Sequence, residues 1–224
     1  MTVLHLVDDG EAADLAAFLS RLLHYDRAAA VRLQAAGTAL AVFGRPPSFE
    51  VLAVRAVRLA KPYENGLDAT LDVTVSAGEL LESVDERAAT AAVPDAVTGP
   101  PWAGLLPPRG GWQPEPGLPA PDALRAMVAA GVAEFRSRTQ ELAPERRTRA
   151  ELDRVGREIW SRTVADTDLP VRAVHAAQSL GFLRTGDAAD LALLSSGVWL
   201  RLRTPYGSIA VRRAGLGVLG VSVR

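Results

Sequence analysis

The chain switches repeatedly between a hydrophobic period of two and one near 3.6, the signatures of half-buried strands and amphipathic helices. Residues 2–7 (Thr-Val-Leu-His-Leu-Val) predict a short buried strand. Asp8 or Asp9 can cap a following helix, whose apolar stripe is Ala12, Leu15, Phe18, Leu19 and Leu22. A meander comes next: 29–35 and 38–43 flank Ala36-Gly37 as a hairpin, and Pro46-Pro47-Ser48 turns the chain into a third strand over 49–58. Asn65-Gly66 marks another turn, and 68–75 alternates as a strand. Ser76-Ala77-Gly78-Glu79 has the form of a capping box, predicting a helix toward Ala89.

Residues 94–121 break both periods, with nine prolines and the segment Trp102-Ala-Gly-Leu-Leu-Pro-Pro-Arg-Gly-Gly-Trp112. Exposing two tryptophans would waste large apolar surface, so this stretch reads as an ordered strap rather than a loose linker. Two long helices follow. One carries Leu124, Met127, Val128, Gly131, Val132, Phe135 and Leu142; the other, after a second capping box at Thr148–Glu151, carries Leu152, Val155, Gly156, Ile159, Trp160 and Val164. They predict an antiparallel hairpin in which Gly131 and Gly156 allow close approach. Asp168-Leu-Pro170 opens a third helix that Gly181 ends. Strands are expected near 190–195, 197–204, 207–213 and 216–223.

Residues 28–45 and 188–205 align without a gap. Ala28, Ala29, Leu33, Gly37 and Leu40 recur as Ala188, Ala189, Leu193, Gly197 and Leu200. In both copies a helix precedes, a proline-containing turn follows, and a further strand ends in Val-Arg, read as Val54-Arg55 and Val211-Arg212. The shared order points to a duplicated α-β-β-β unit, with 68–75 as a candidate leading strand of the second copy. This order, together with Leu71-Asp-Val-Thr-Val-Ser-Ala-Gly-Glu-Leu-Leu81, is similar to the half-domain of DNA sliding clamps. The resemblance is topological and implies shape alone. The expected fold is therefore α+β: two antiparallel β-meander/helix units, at 1–93 and within 122–224, with the strap at 94–121 and a helical hairpin between them.

Composition narrows the classes. At 224 residues with 48% hydrophobic and 23% charged side chains, the chain can bury a sizeable core. It has no cysteine, which removes disulfides and thiol chemistry. The apolar runs are far shorter than the roughly 20 residues of a membrane span, and the N-terminus lacks the pattern of a secretory signal, so no membrane association and a cytoplasmic location are expected. All basic residues but Lys61 are arginine, as a GC-rich bacterial genome would give. Residues 1–145 carry 12 basic and 19 acidic side chains, whereas 146–224 carry 13 and 7. Either the halves dock on each other or the basic half meets an external anion.

No pattern defines an active site. Val7-Asp8-Asp9 resembles the opening of a response-regulator receiver domain, but Val51–Arg55 lacks the acceptor aspartate, and capping explains Asp8 and Asp9. Gly215-Leu-Gly217-Val-Leu-Gly220 matches a dinucleotide fingerprint with too little chain left for the helix that would bind pyrophosphate. His5, His24 and His175 share no ligand spacing. No metal and no cofactor are therefore expected.

One surface keeps a functional reading. In 198–203, Val198, Leu200 and Leu202 fall on one face and Trp199, Arg201 and Arg203 on the other; the partner strand adds Arg212 to the second set. Such a face is either a solvated sheet surface with arginine stems over the indole, or one that stacks a base and holds phosphates. The helices at 148–164 and 169–181 followed by a hairpin also have the order of a winged helix, with Arg172, His175, Gln178 and Ser179 on the third helix. A non-enzymatic binding or regulatory protein that meets nucleic acid or an acidic protein partner is thus expected. A scaffold or homo-oligomer using sheet edges, or an enzyme with a dispersed site, are the alternatives.

Overall fold

The computed structural model describes residues 2–47, 49–60, 71–184 and 191–213. The turn at Asn65-Gly66, the copies Ala188 and Ala189, the glycines 215, 217 and 220, and the strand expected at 216–223 lie outside the described residues.

The chain opens with β1 (Val3–His5) and α1 (Asp9–Tyr25). The Asp8 carboxylate accepts the Glu11 amide at 2.8 Å, which caps α1, and the helix buries Ala12, Leu15, Phe18, Leu19 and Leu22. The first meander is β2 (Ala30–Ala36), β3 (Ala39–Gly44) and β4 (Leu52–Arg58); β5 (Asp72–Ser76) returns to pair with β2. A short helix α2 (Ala77–Glu82), capped by Ser76, leads to β6 (Val84–Asp85) and β7 (Thr90–Ala92), which form a small sheet with β1. The helix expected to reach Ala89 stops early because Val84 and Asp85 pair with β7 instead.

The strap holds a single 3-10 turn at Pro101–Gly104 and the short strand β8 (Gln113–Glu115). Then come α3 (Pro121–Glu141), α4 (Arg149–Trp160) and α5 (Val171–Ser179), and the second meander: β9 (Ala192–Ser196), β10 (Trp199–Thr204) and β11 (Gly207–Arg212). α3 and α4 pack as the expected hairpin. A Cβ on Gly131 would meet the Trp160 ring at 2.8 Å, so glycine is what lets the helices approach here.

Both meanders join one antiparallel sheet of eight strands, in the order β5-β2-β3-β4-β11-β10-β9-β8. Its inner face packs on α1 and α5. Leu33, Leu40, Leu193 and Leu200 are all buried there, and Gly37 and Gly197 occupy equivalent turns with positive φ. The pairs Leu33–Val42 and Leu193–Leu202 match, as do Leu40–Val57 and Leu200–Val211. The counterpart of Val211-Arg212 is therefore Val57-Arg58, not Val54-Arg55. β5 also differs from expectation: it flanks the first meander rather than leading the second.

The two halves meet through α1. Arg55 on β4, 5% exposed, donates to Glu11 at 2.9 Å, to Asp14 at 3.3 Å and to the Tyr206 carbonyl at 2.7 Å. Arg184 donates to the other Asp14 oxygen at 2.8 Å and lies 3.7 Å from the centre of the Tyr206 ring. Some of the charge asymmetry between the halves is thus spent on docking. Phe18 of α1 and Phe182, just after α5, stack at 5.6 Å.

Candidate functional site

The second face of the sheet carries its own small apolar cluster: Phe43, Leu52, Val54 and Ala210, with Ala41 and Trp199 beside them. Trp102 and Leu106 of the strap lie on it. The outward face is therefore partly roofed, which changes the sequence-based picture of a plainly solvated surface. The roofed cluster spans β3, β4 and β11 and takes in Trp199 of β10.

Trp199, Arg201 and Arg203 follow one another on this face of β10, as the alternation requires. Across the β10–β11 ladder they meet Arg212, Ala210 and Ser208 respectively. The structure brings all four candidate residues, Trp199, Arg201, Arg203 and Arg212, to one patch. The Arg212 guanidinium sits 5.3 Å from the centre of the Trp199 ring, within the range of a cation–π contact. Counterparts in the first meander are Ala39, Ala41, Phe43 and Arg58, so only the second copy presents this patch.

Arg201 is the unusual member. It is half-buried, and its Nε has no hydrogen-bond partner among the described residues, as is also true of Arg55, Arg172 and Arg213. Among the described residues its guanidinium meets no carboxylate; its nearest aromatic neighbour is Trp112, 5.6 Å away on the strap. Burial, then the charge of Arg203, lowers its pKa from the ordinary arginine value, yet guanidinium stays protonated in any neutral solution. Arg203 and Arg212 are exposed and likewise unpaired with carboxylates among the described residues. Arg55, Arg184 and Arg213, by contrast, all hold carboxylates.

Trp112 was legible in sequence as an anchored aromatic, but not as part of this patch. The strap puts it there. β8 pairs with β9 through Gln113–Ser195 and Pro114–Leu194, and Gly111 turns the chain with φ of 75° just before it. The Trp112 indole N–H donates to the Pro108 carbonyl at 3.0 Å, which fixes the ring against its own loop. Glu115 pairs with Arg213, and hydrogen bonding from Ser195, then from Arg213, holds its carboxyl below the usual carboxylate range. These contacts make the strap part of the sheet.

The third helix does not present the side chains a winged helix would use. α5 buries Val171, Ala173, Val174, Ala176 and Ala177. His175 is wedged between Trp160, at 4.4 Å, and Phe49, at 5.0 Å, and only Gln178 of its polar set is exposed. Among the described residues no group of three histidine, aspartate or glutamate side chains is arranged to hold a metal ion, and no helix is long and apolar enough to cross a membrane.

Residues 1–104 match a family described as a domain of unknown function (DUF8010), and 107–216 match a second domain of unknown function (DUF8185). The break between the matches falls inside the strap, while the main sheet takes strands from both. No curated protein matches the chain.

Proposed function

We propose that this is a non-enzymatic binding protein that holds an extended polyanion on the outer face of its main sheet, at Trp199, Arg201, Arg203 and Arg212. The observation that carries this reading is Arg201. The buried Nε of Arg201 has no hydrogen-bond partner among the described residues, and a hydrogen bond from a charged group is worth roughly 1.5–3 kcal/mol. An incoming phosphate or carboxylate would supply that bond, in the bidentate geometry guanidinium favours. Arg203 lies two residues along the strand and Arg212 one strand across, so a ligand reaching all three must be longer than a single anion. No carboxylate or imidazole pairs with these arginines among the described residues.

Edge-to-edge assembly has less support. The β5 edge is already occupied in part, with the Val97 amide donating to the Thr74 carbonyl at 2.9 Å, and β8 is three residues long with Pro114 at its centre. Retention on heparin and fluorescence anisotropy with a labelled polyanion test the reading. Binding at low salt should weaken with a log–log slope of roughly 2–3, as three phosphate contacts imply. Absence of binding at low salt would remove it.

A further inference from the structure

We infer that the polyanion is a single-stranded nucleic acid, one of whose bases inserts between Trp112 of the strap and Trp199 of β10. This rests on the binding reading above and adds the ligand's chemistry. Carried one residue beyond Gln113–Ser195, the β8–β9 register sets Trp112 opposite Ser196, and Ser196 is itself opposite Trp199. The two tryptophans therefore stand in one row across the sheet, with only a serine between them.

Two strand spacings separate their backbones, roughly 9.5 Å. A planar ring in van der Waals contact on both faces needs about 7–8 Å between its neighbours; the Trp199 indole rests on the side of Phe43, Leu52, Val54 and Ala210, so the base enters as that ring turns toward Trp112. Trp112 is held before any ligand arrives by its indole N–H bond to the Pro108 carbonyl. Each also has a cation beside it: Arg201 lies 5.6 Å from the Trp112 ring and Arg212 lies 5.3 Å from the Trp199 ring. A stacked base would thus have a guanidinium available for the phosphate on either side. An acidic peptide offers charges to the arginines but nothing planar to the slot, and a duplex keeps its bases stacked on one another. At the equivalent row of the first meander, Ala39 stands in the place of Trp199.

The test compares three probes on the full chain: a short oligothymidylate, the abasic deoxyribose-phosphate polymer of the same length, and polyglutamate. Oligothymidylate should bind at least about fivefold more tightly than either of the others and should quench tryptophan fluorescence. Trp112→Ala should abolish that advantage, read as the ratio of the two affinities within the variant, and Trp112→Phe should restore most of it. Near-equal affinity for oligothymidylate and the abasic polymer would overturn the stacking inference and leave the anion site standing. Polyglutamate binding as tightly as oligothymidylate would overturn it in favour of an acidic protein partner. Failure of all three to bind would remove the anion site itself, and the inference with it.

Discussion

Val54 lies directly opposite Ser208 where β4 meets β11, and the two residues hold the same place in their own meanders. Because Leu40 faces Val57 in the first copy and Leu200 faces Val211 in the second, Val57 corresponds to Val211 and Val54 to Ser208. An approximate two-fold axis therefore passes between this pair and relates the two halves of the sheet. The matched registers, rather than residue identities, are what make the duplication persuasive. The copies differ on both faces: on the outer face Ala39 and Ala41 stand where the second copy has Trp199 and Arg201, and on the inner face the buried Arg55 stands where it has Ile209.

The equivalent turns should respond alike to substitution. Gly37 has φ of 62° and Gly197 φ of 55°, and nothing lies within 4 Å of where a Gly197 side chain would begin. Gly197→Ala should therefore cost only the backbone term, about 1–2 kcal/mol, and Gly37→Ala a similar amount. Gly197→Asn should cost less, since asparagine tolerates the left-handed region. Urea unfolding of the three variants checks this; an unchanged midpoint for Gly197→Ala would contradict the turn geometry.

Arg55 and Glu11 should behave as a coupled pair. With their side chains 6% and 9% exposed, Arg55→Met leaves Glu11 short of its buried partner. The loss should be about 3 kcal/mol, at the lower end for a broken buried pair because Arg58 still holds Glu11 at 2.8 Å. Glu11→Gln combined with Arg55→Met should recover much of it, giving a favourable coupling term in a double-mutant cycle. Additive losses would mean the two charges are not stabilising each other.

His175 should make stability depend on pH. Burial lowers its pKa from 6.5, so the unfolded chain takes up this proton at a pH where the folded chain does not. Stability should fall as pH drops below 6.5 toward the folded value, by at most about 1.4 kcal/mol per pH unit. His175→Phe keeps a ring between Trp160 and Phe49 and removes the proton. The difference in unfolding free energy between the two proteins should therefore shift across this window; a constant difference would mean that the imidazole titrates as it does in water.

Much of the sheet was legible because its strands obey a period of two: Leu33, Leu40, Leu193 and Leu200 announced their burial by spacing alone. The alternation in β10 likewise placed Trp199, Arg201 and Arg203 together. What sequence missed came from contacts distant along the chain. β4 contains Val-Arg twice, at 54–55 and 57–58, and only the strand register shows which of them answers Val211-Arg212. α2 ends early because Val84 finds a strand partner in Ala91. The aromatic neighbour of Arg201, Trp112, sits on a strap that no local periodicity ties to β10.

Arg201 and Arg203 carry most of the proposed anion site. Both point away from the main core, so Arg201→Ala with Arg203→Ala should change stability by less than about 1 kcal/mol. Melting temperature should accordingly shift little. Affinity for single-stranded DNA, measured at two salt concentrations, should fall, and the log–log salt slope should drop by roughly 1.4–1.8, the share of two phosphate contacts. Undiminished binding with an unchanged salt slope in a variant that melts like the parent would contradict the proposed site.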